Sequence, residues 1–286
     1  MGSEAPFRNV AVVGTGLIGG SFALAVRHAF PQTNVTGWDR REVLLRAHER
    51  GAITRSAASV LDAIAAANLI YVAMPIGVTL DLLPELARHA SSGALVTDAS
   101  STKTAVCRAA AQHFHHGASF LGGHPLAGRE LSGIDQADAA LFRGAKYALV
   151  GDSQSPAAAG FEALLRAIGA EPAWIDAETH DWAVGIVSHL PQLAAVALAN
   201  VVKDETDETG LPLSLSGSGL RDALRLAGSP YDVWRDVCLT NRDNLVRSLD
   251  RLVQALEHLR GTLASRDLEP QFGAANQVYK SLRELD

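Results

Sequence analysis

Near the start of the chain a short β-branched run, Asn9-Val-Ala-Val-Val13, leads directly into Gly14-Thr-Gly16-Leu-Ile-Gly19-Gly20. No other feature constrains the fold as much. A helical stretch, Ser21 to Ala29, follows the glycines, and a second strand, Asn34 to Trp38, ends at Asp39. Each part has a physical task in a dinucleotide site. Gly14 permits the tight strand-to-helix turn. Gly16 carries no side chain, so backbone can approach a pyrophosphate. Gly19 lets the helix pack closely on the sheet. The helix N-terminus offers unpaired N–H groups and a partial positive charge to phosphates, and Leu17 and Ile18 of the turn join the nucleotide site. Asp39 stands where a carboxylate accepts the ribose hydroxyls of an adenosine. A glycine turn alone also fits an α/β protein with no nucleotide. The ordered succession of strand, turn, helix, strand and acid favours nucleotide binding. The carboxylate favours NAD over NADP, because it repels a 2′-phosphate. Arg40 and Arg41 pull the other way, since either can bind a phosphate or stack on adenine.

A length of 286 residues suits two domains of ordinary size, and 48% hydrophobic residues with 20% charged ones supply a large core. A net charge of −6 with no basic tract argues against a nucleic-acid partner. Cys107 and Cys238 are far apart and lack a C-x-x-C partner, so they read as reduced thiols of a cytoplasmic protein. No apolar run reaches the roughly 18 residues of a membrane span, so no membrane association is expected. Residues 1–6 lack the basic start and apolar stretch of a signal peptide.

Strands and helices alternate through residues 1–176, which implies a Rossmann-like, doubly wound, mostly parallel sheet. Ligands of such sheets sit beyond the carboxyl ends of the strands. Asp39, Met74-Pro75, Ser100-Ser101 and His124 all fall at predicted strand ends and should converge on one crevice, His124 on an irregular segment after Gly122-Gly123. Residues 177–286 read as an all-α second domain. Glu178 to Val202 is a long apolar helix that Pro191 should kink, Lys203 to Ser216 reads as a loop, and Ser218 to Ala227 is a short helix. After Ser229-Pro230, apolar residues from Val233 to Leu259 recur at mostly three- and four-residue steps, predicting one helix of roughly 45–50 Å. Such a helix outruns a compact helical domain, and a second subunit covering its stripe is the simplest remedy.

His124, between Gly123 and Pro125, is the first candidate for chemistry. An imidazole accepts a proton near neutral pH, which suits oxidation of an alcohol. The plainer alternative is a histidine that merely caps a strand. Ser101 can bond both an imidazole and a substrate hydroxyl, or serve as a helix N-cap. His189 lies inside a helix, where histidines are usually satisfied structural groups. Arg221, Asp222 and Arg225 share one short helix; they are either a solvated face or present an arginine fork to a carboxylate. Trp234 reads as core or pocket wall. His113, His115 and His116 invite a metal reading, but no Cys or carboxylate cluster stands nearby at ligand spacing, so no metal is expected.

Taken together the chain resembles the prephenate and arogenate dehydrogenases of tyrosine biosynthesis. The resemblance rests on Gly14 to Gly20, Val96-Thr-Asp-Ala-Ser-Ser-Thr-Lys103, Gly122-Gly-His-Pro-Leu-Ala-Gly-Arg-Glu130, Ser188-His-Leu-Pro191 and Arg221-Asp-Ala-Leu-Arg-Leu-Ala227, with Trp234 beyond. It implies NAD-dependent oxidative decarboxylation and a helical C-terminal domain that forms a homodimer. His124 matches the family's base for the substrate 4-hydroxyl, and Ser101 the serine that orients both groups. Arg225 matches the arginine for a substrate carboxylate, His189 a histidine lining the site, Glu130 an acid near the substrate and Trp234 a pocket-wall aromatic. Met74, Pro75 and Ser100 join the nucleotide site. There are two departures: Leu224-Arg-Leu-Ala227 stands where the family often has Thr-Arg-Ile-Ala, and Ala99-Ser100 replaces the more usual Val-Gly. Two other readings stay open. One is an imine or β-hydroxyacid reductase with a helical second domain, although those enzymes usually carry Lys or Asp where His189 stands. The other is a dinucleotide sensor with no turnover.

Overall fold

The computed structural model describes residues 5–128, 132–206, 208–265 and 268–284. The chain divides into two compact units, Met1–Arg242 and Asp243–Asp286. The first is built on an eight-stranded sheet of β1 (Asn9–Val13), β2 (Asn34–Trp38), β3 (Arg55–Ser56), β4 (Leu69–Val72), β5 (Leu95–Asp98), β6 (Ser119–Pro125), β7 (Lys146–Val150) and β8 (Glu171–Trp174). Their spatial order is β3-β2-β1-β4-β5-β6-β7-β8. β1 to β6 pair in parallel, and β7 turns back antiparallel to β6. β4 is apolar and buried along its whole length because helices cover both faces of the sheet. The strand order reverses between β1 and β4, which opens a crevice at their carboxyl ends.

The helices are α1 (Leu17–Ala29), α2 (Arg41–Glu49), α3 (Val60–Ile64), α4 (Ile76–His89), α5 (Thr104–Ala111), α6 (Pro156–Ala167), α7 (Ala177–Val184), α8 (Leu190–Asp204), α9 (Leu211–Ser214), α10 (Ser218–Leu224), α11 (Tyr231–Thr240), α12 (Arg242–Thr262) and α13 (Glu269–Arg283). One face of the sheet packs on α1 and α6. Phe22 stacks on Tyr71 with ring centroids 3.8 Å apart, and Tyr147 donates from its hydroxyl to that of Tyr71 at 3.2 Å.

Four expectations change. His124 is not on an irregular segment: β6 runs through Pro125, because pairing with β7 holds His124 opposite Ala148. The stretch read as a loop after Lys203 contains α9, started by Gly210 at φ 64°. The single long helix expected from Val233 to Leu259 is two. It breaks at Asn241 (φ −117°, ψ 23°), leaving α12 with 21 residues, roughly 31 Å. Periodicity carries straight through this break; the Asn241 carboxamide, engaged elsewhere, does not (below).

The fourth change concerns span length. α7, a π turn at Gly185–His189 and α8 form one helix, Ala177–Asp204, of 28 residues, long and apolar enough by those criteria to cross a membrane. Its scattered polar residues hide this in the sequence. Four of them, His180, Asp181, His189 and Gln192, are buried and hydrogen-bonded within the protein, so the helix serves a site. The π turn also accommodates Pro191. Widening the helix just before the proline relieves the clash its ring makes in a regular α-helix.

The second unit contains α12 beyond Arg242, and α13. Both leave large apolar side chains exposed, among them Val253, Leu256, Phe272 and Val278.

Candidate active site

The glycine turn has the backbone geometry that its spacing predicts. Gly14 has φ +90°, and a Cβ there would meet the Ala73 carbonyl oxygen at 2.4 Å. A Cβ on Gly19 would stand 1.8 Å from the Gly14 carbonyl oxygen, so only glycine lets α1 come this close. A Cβ on Gly16 would meet nothing within 4 Å: here the backbone faces open space. No side chain caps α1, so the N–H groups at Leu17 and Ile18 remain for an incoming anion. Asp39 braces the turn, accepting from the Thr15 amide at 2.7 Å and from the Arg40 amide at 2.7 Å. It also lines a cavity of about 440 Å³ with Arg41, Leu44, Ser56 and Ala57. Of the two adjacent arginines it is Arg41 that faces this cavity. Arg40 is exposed, with Glu42 at 3.8 Å. An open backbone cradle, an uncapped helix and an acid beside a cavity fit a dinucleotide.

A second cavity, about 240 Å³, is lined by Met74, Pro75, Ala99, Ser100, Ser101 and three residues of α11: Asp232, Val233 and Val237. The Ser100 hydroxyl is buried without a hydrogen-bond partner, as expected of a group that a bound molecule satisfies. α11 is held against this cavity by two bonds. Asp236 accepts from the Gly77 amide at 2.8 Å, and the hydroxyls of Thr102 and Thr240 lie 2.8 Å apart.

β5 and β6 run side by side, Thr97 opposite Leu121, so continuing the register sets Ser100 level with His124. A buried ion pair locks these ends together. Lys103, wholly buried, reaches Asp98 and donates to the Gly123 carbonyl at 2.6 Å; Asp98 accepts from the amides of Gly123 and Ser100, each at 3.0 Å. Gly122 and Gly123 let the protein approach itself. A Cβ at Gly123 would meet the Asp98 carbonyl oxygen at 2.5 Å, and one at Gly122 the Cys107 sulfur at 2.7 Å.

His124 is buried, and its Nδ1 lies 2.9 Å from Nε2 of His180. His180 Nδ1 in turn lies 2.8 Å from Asp181 Oδ1. The Asp181 carboxylate also accepts from the amides of Lys103 (2.7 Å) and Thr104 (2.8 Å). Burial works to raise this carboxyl, but the bonds from His180, Lys103 and Thr104 outweigh it and hold it below the usual range. His124 is pushed well below the ordinary imidazole range, first by burial and then by His180, Lys103 and His189.

His189, on the π turn, is buried with its ring edge-on to Trp234 at 5.7 Å. The Asn241 amide nitrogen donates to the Asp181 backbone carbonyl at 2.8 Å and lies 3.2 Å from His189 Nδ1. The carbonyl can only accept, so the amide nitrogen faces both groups. His189 Nδ1 is therefore an acceptor, and the ring's hydrogen sits on Nε2. Burial first, offset by Asp181, lowers His189 to about 4.

His124, His189 and Trp234 are thus brought together by a network that composition and spacing did not reveal: His180, Asp181, Lys103, Asp98 and Asn241. The one available signal was polar residues, His180 and Asp181, on an otherwise apolar helix. Ser101 is half-buried on the cavity wall, while the ring partner of His124 is His180. Arg225 is exposed, at the start of a 3₁₀ turn (Arg225–Gly228) that Gln192 ties to α8 by donating to the Leu226 carbonyl at 2.8 Å. Glu130 lies outside the described residues. Among the described residues no metal-ligand cluster is present around His113, His115 and His116.

Comparison with known proteins agrees over nearly the whole length. Residues 22–171 match the family described as prephenate dehydrogenase, nucleotide-binding domain, and residues 176–276 match prephenate dehydrogenase, dimerization domain. The prephenate dehydrogenase of Lactococcus lactis subsp. cremoris is 34% identical over 262 residues, covering 91% of this chain and 72% of its own. Prephenate dehydrogenase from A. aeolicus, solved with hydroxyphenyl propionate and NAD+, superposes with a TM-score of 0.88 at 26% identity over 99% of both chains. Synechocystis arogenate dehydrogenase superposes with a TM-score of 0.78 at 30% identity, over 96% of this chain and 99% of its own. With the glycine cradle, the buried histidine and these matches in agreement, the chain belongs to the prephenate dehydrogenase family of oxidoreductases.

Proposed function

We propose that this chain catalyses the NAD-dependent oxidative decarboxylation of prephenate, arogenate or both, giving 4-hydroxyphenylpyruvate or tyrosine. The observation that carries this reading is a buried imidazole, His124, at the carboxyl end of β6, level with the serines that wall the cavity, in a chain of this family. The nucleotide, when bound, accepts a hydride from the ring carbon that bears the hydroxyl. Gly14, Gly16, Gly19, Leu17 and Ile18 hold its pyrophosphate, Asp39 its ribose, and Met74, Pro75 and Ser100 its other end. The carboxylate of Asp39 supports NAD over NADP, with Arg41 rather than Arg40 as the nearby cation.

His124 takes the hydroxyl proton as charge develops, and Ser101 bonds that hydroxyl. Arg225 holds a substrate carboxylate as a fork. The family resemblance assigns Glu130 a contact with the substrate, and His189 and Trp234 wall the ring pocket. Loss of the ring carboxylate as carbon dioxide aromatises the product and makes the reaction effectively irreversible. The exposed apolar side chains of α8, α12 and α13, Val201 at 59% among them, support a homodimer formed through the C-terminal helices. The unpaired cysteines Cys107 and Cys238 support a cytoplasmic setting.

The test is NADH formation by purified protein with prephenate and with arogenate, each under NAD and NADP. Absorbance growth with NAD and either acid is expected. Nucleotide binding with no absorbance change on either acid would favour a sensor instead.

A further inference from the structure

With both imidazoles neutral, the chain His124–His180–Asp181 allows only one arrangement of hydrogens. Asp181 is ionised and accepts only, so the hydrogen of a neutral His180 must lie on Nδ1, facing it at 2.8 Å. His180 Nε2 is then a bare acceptor. His124 Nδ1, 2.9 Å away, must be the donor across that contact. One nitrogen of a neutral imidazole is left without hydrogen, and here it is Nε2 of His124. His189, turned by Asn241, carries the opposite tautomer, with its hydrogen on Nε2. The two histidines therefore differ in role: His124 is built to take a proton, His189 to give a hydrogen bond.

We propose that His180, backed by Asp181, is a positioning residue that sets the tautomer of His124 and receives the charge that His124 acquires. This rests on the reading of His124 as the base. When the substrate O–H bond breaks, an Nε2–H bond forms on His124. The Nδ1–H bond of His124 then breaks as an Nε2–H bond forms on His180. His124 ends neutral with its hydrogen on Nε2, and His180 ends as an imidazolium beside the Asp181 carboxylate. The two electrons leave as the hydride that the bound nucleotide takes.

The geometry gives a reason for passing the proton on. His124 is buried, with Lys103 on one side and His189 on another, so a positive charge kept on its ring would be desolvated and repelled. One ring further away the same charge faces Asp181 directly. A buried histidine satisfied only for packing needs one good acceptor. Here an adjacent pair, His180 and Asp181, is tied to the N-terminus of α5 through the amides of both Lys103 and Thr104. That bracing fixes the direction of the relay, because rotating the Asp181 carboxylate would abandon two backbone donors.

Two measurements test the relay. In the cofactor-free protein labelled with 15N-histidine, the ring nitrogen shifts should show hydrogen on Nδ1 of His124 and Nδ1 of His180, and on Nε2 of His189. This reads the tautomers with no substrate and no variant. His180→Gln keeps an oxygen that can accept from His124 Nδ1 but cannot hold the proton. It should lower kcat about 10- to 100-fold, leave KM for substrate and nucleotide within about twofold, and preserve the His124 tautomer. His180→Phe, which removes the acceptor as well, should release that tautomer and lower kcat further. In a His124→Ala background neither change should lower the residual rate more than about twofold. A hydrogen on Nε2 of His124 in the wild-type protein would overturn the proposal, as would wild-type kcat in both His180 variants. Absence of turnover on prephenate and arogenate would refute the substrate reading alone, since the nitrogen shifts would still report the relay.

Discussion

Asp236 on α11 accepts a hydrogen bond from the amide of Gly77 at 2.8 Å, across 159 residues of sequence. α4 begins at Pro75 with no capping side chain of its own, so a carboxylate from a distant helix supplies the cap. That bond, first among the causes, holds the Asp236 carboxyl below its usual range. It also seats α11 against the cavity walled by Met74 and Ser100. Asp236→Ala should cost about 1–2 kcal/mol of stability, the range for a lost helix cap. It should also raise KM for nucleotide or substrate more than it lowers kcat. Denaturant unfolding and steady-state kinetics measure the two effects, and an unchanged KM would refute the coupling of this cap to the cavity.

Gly16 and Gly19 should respond oppositely to the same substitution. An added methyl at Gly16 enters open space, so Gly16→Ala should keep the fold, at no more than about 1 kcal/mol for the weaker N-cap. Nucleotide affinity should fall by tenfold or more. At Gly19 the methyl would overlap the Gly14 carbonyl, and Gly19→Ala should cost about 3 kcal/mol or more in stability. Thermal melts and calorimetric NAD titration separate the two cases. Full nucleotide affinity in Gly16→Ala would place the pyrophosphate elsewhere.

His124→Ala removes the proposed base. Turnover should drop about 10²–10⁴-fold, the usual contribution of a positioned proton acceptor, while NAD affinity stays near wild type. Retention of wild-type turnover would end this assignment.

Arg225→Ala should mainly raise the KM for prephenate or arogenate, by roughly tenfold for a lost charge-assisted bond. Arg225→Lys should restore only part, because an ammonium cannot supply the two parallel donors of a guanidinium. Unchanged saturation kinetics in Arg225→Ala would move the carboxylate contact to another residue.

Acid should destabilise the protein before any carboxylate titrates. His189 is lowered to about 4, and His124 is held well below the ordinary imidazole range, burial being the first cause in both. Unfolded histidine titrates near 6.5, so below that pH the unfolded chain binds protons that the folded protein refuses. Stability is therefore complete above about pH 6.5 and is lost as pH falls from there towards 4, with His189 alone contributing on the order of 3 kcal/mol. Urea unfolding of the cofactor-free protein at pH 7.5, 6 and 5 measures the slope. A free energy that stays level across that interval would contradict the burial of these rings.

The parts of the site that could be read without coordinates are those in which chemistry and sequence position coincide. Gly14 and Gly19 must be glycine because a Cβ there would meet backbone, Gly16 faces open space, and their spacing records a turn wholly local to β1 and α1. Asp39 closes the next strand, and the apolar character of β4 reports burial on both faces. The His124 segment was identified by its neighbours, though its strand was read too short, because pairing with β7 lies outside any local window. The break at Asn241 was missed for a related reason. Apolar periodicity continues across it, and only the demand of Asp181 and His189 for that carboxamide ends α11 there.

What residue order determined by itself is the doubly wound sheet and the glycine turn after its first strand, both local in sequence or strongly periodic. What the tertiary structure decided is which groups the His124 ring meets. The hydrogen on His124 is placed by His180, from a helix 56 residues away, and His180 is oriented by a carboxylate held by the backbone amides of Lys103 and Thr104. A tautomer is a property of who donates to whom, and that is settled only when separate strands and helices come within about 3 Å of one another.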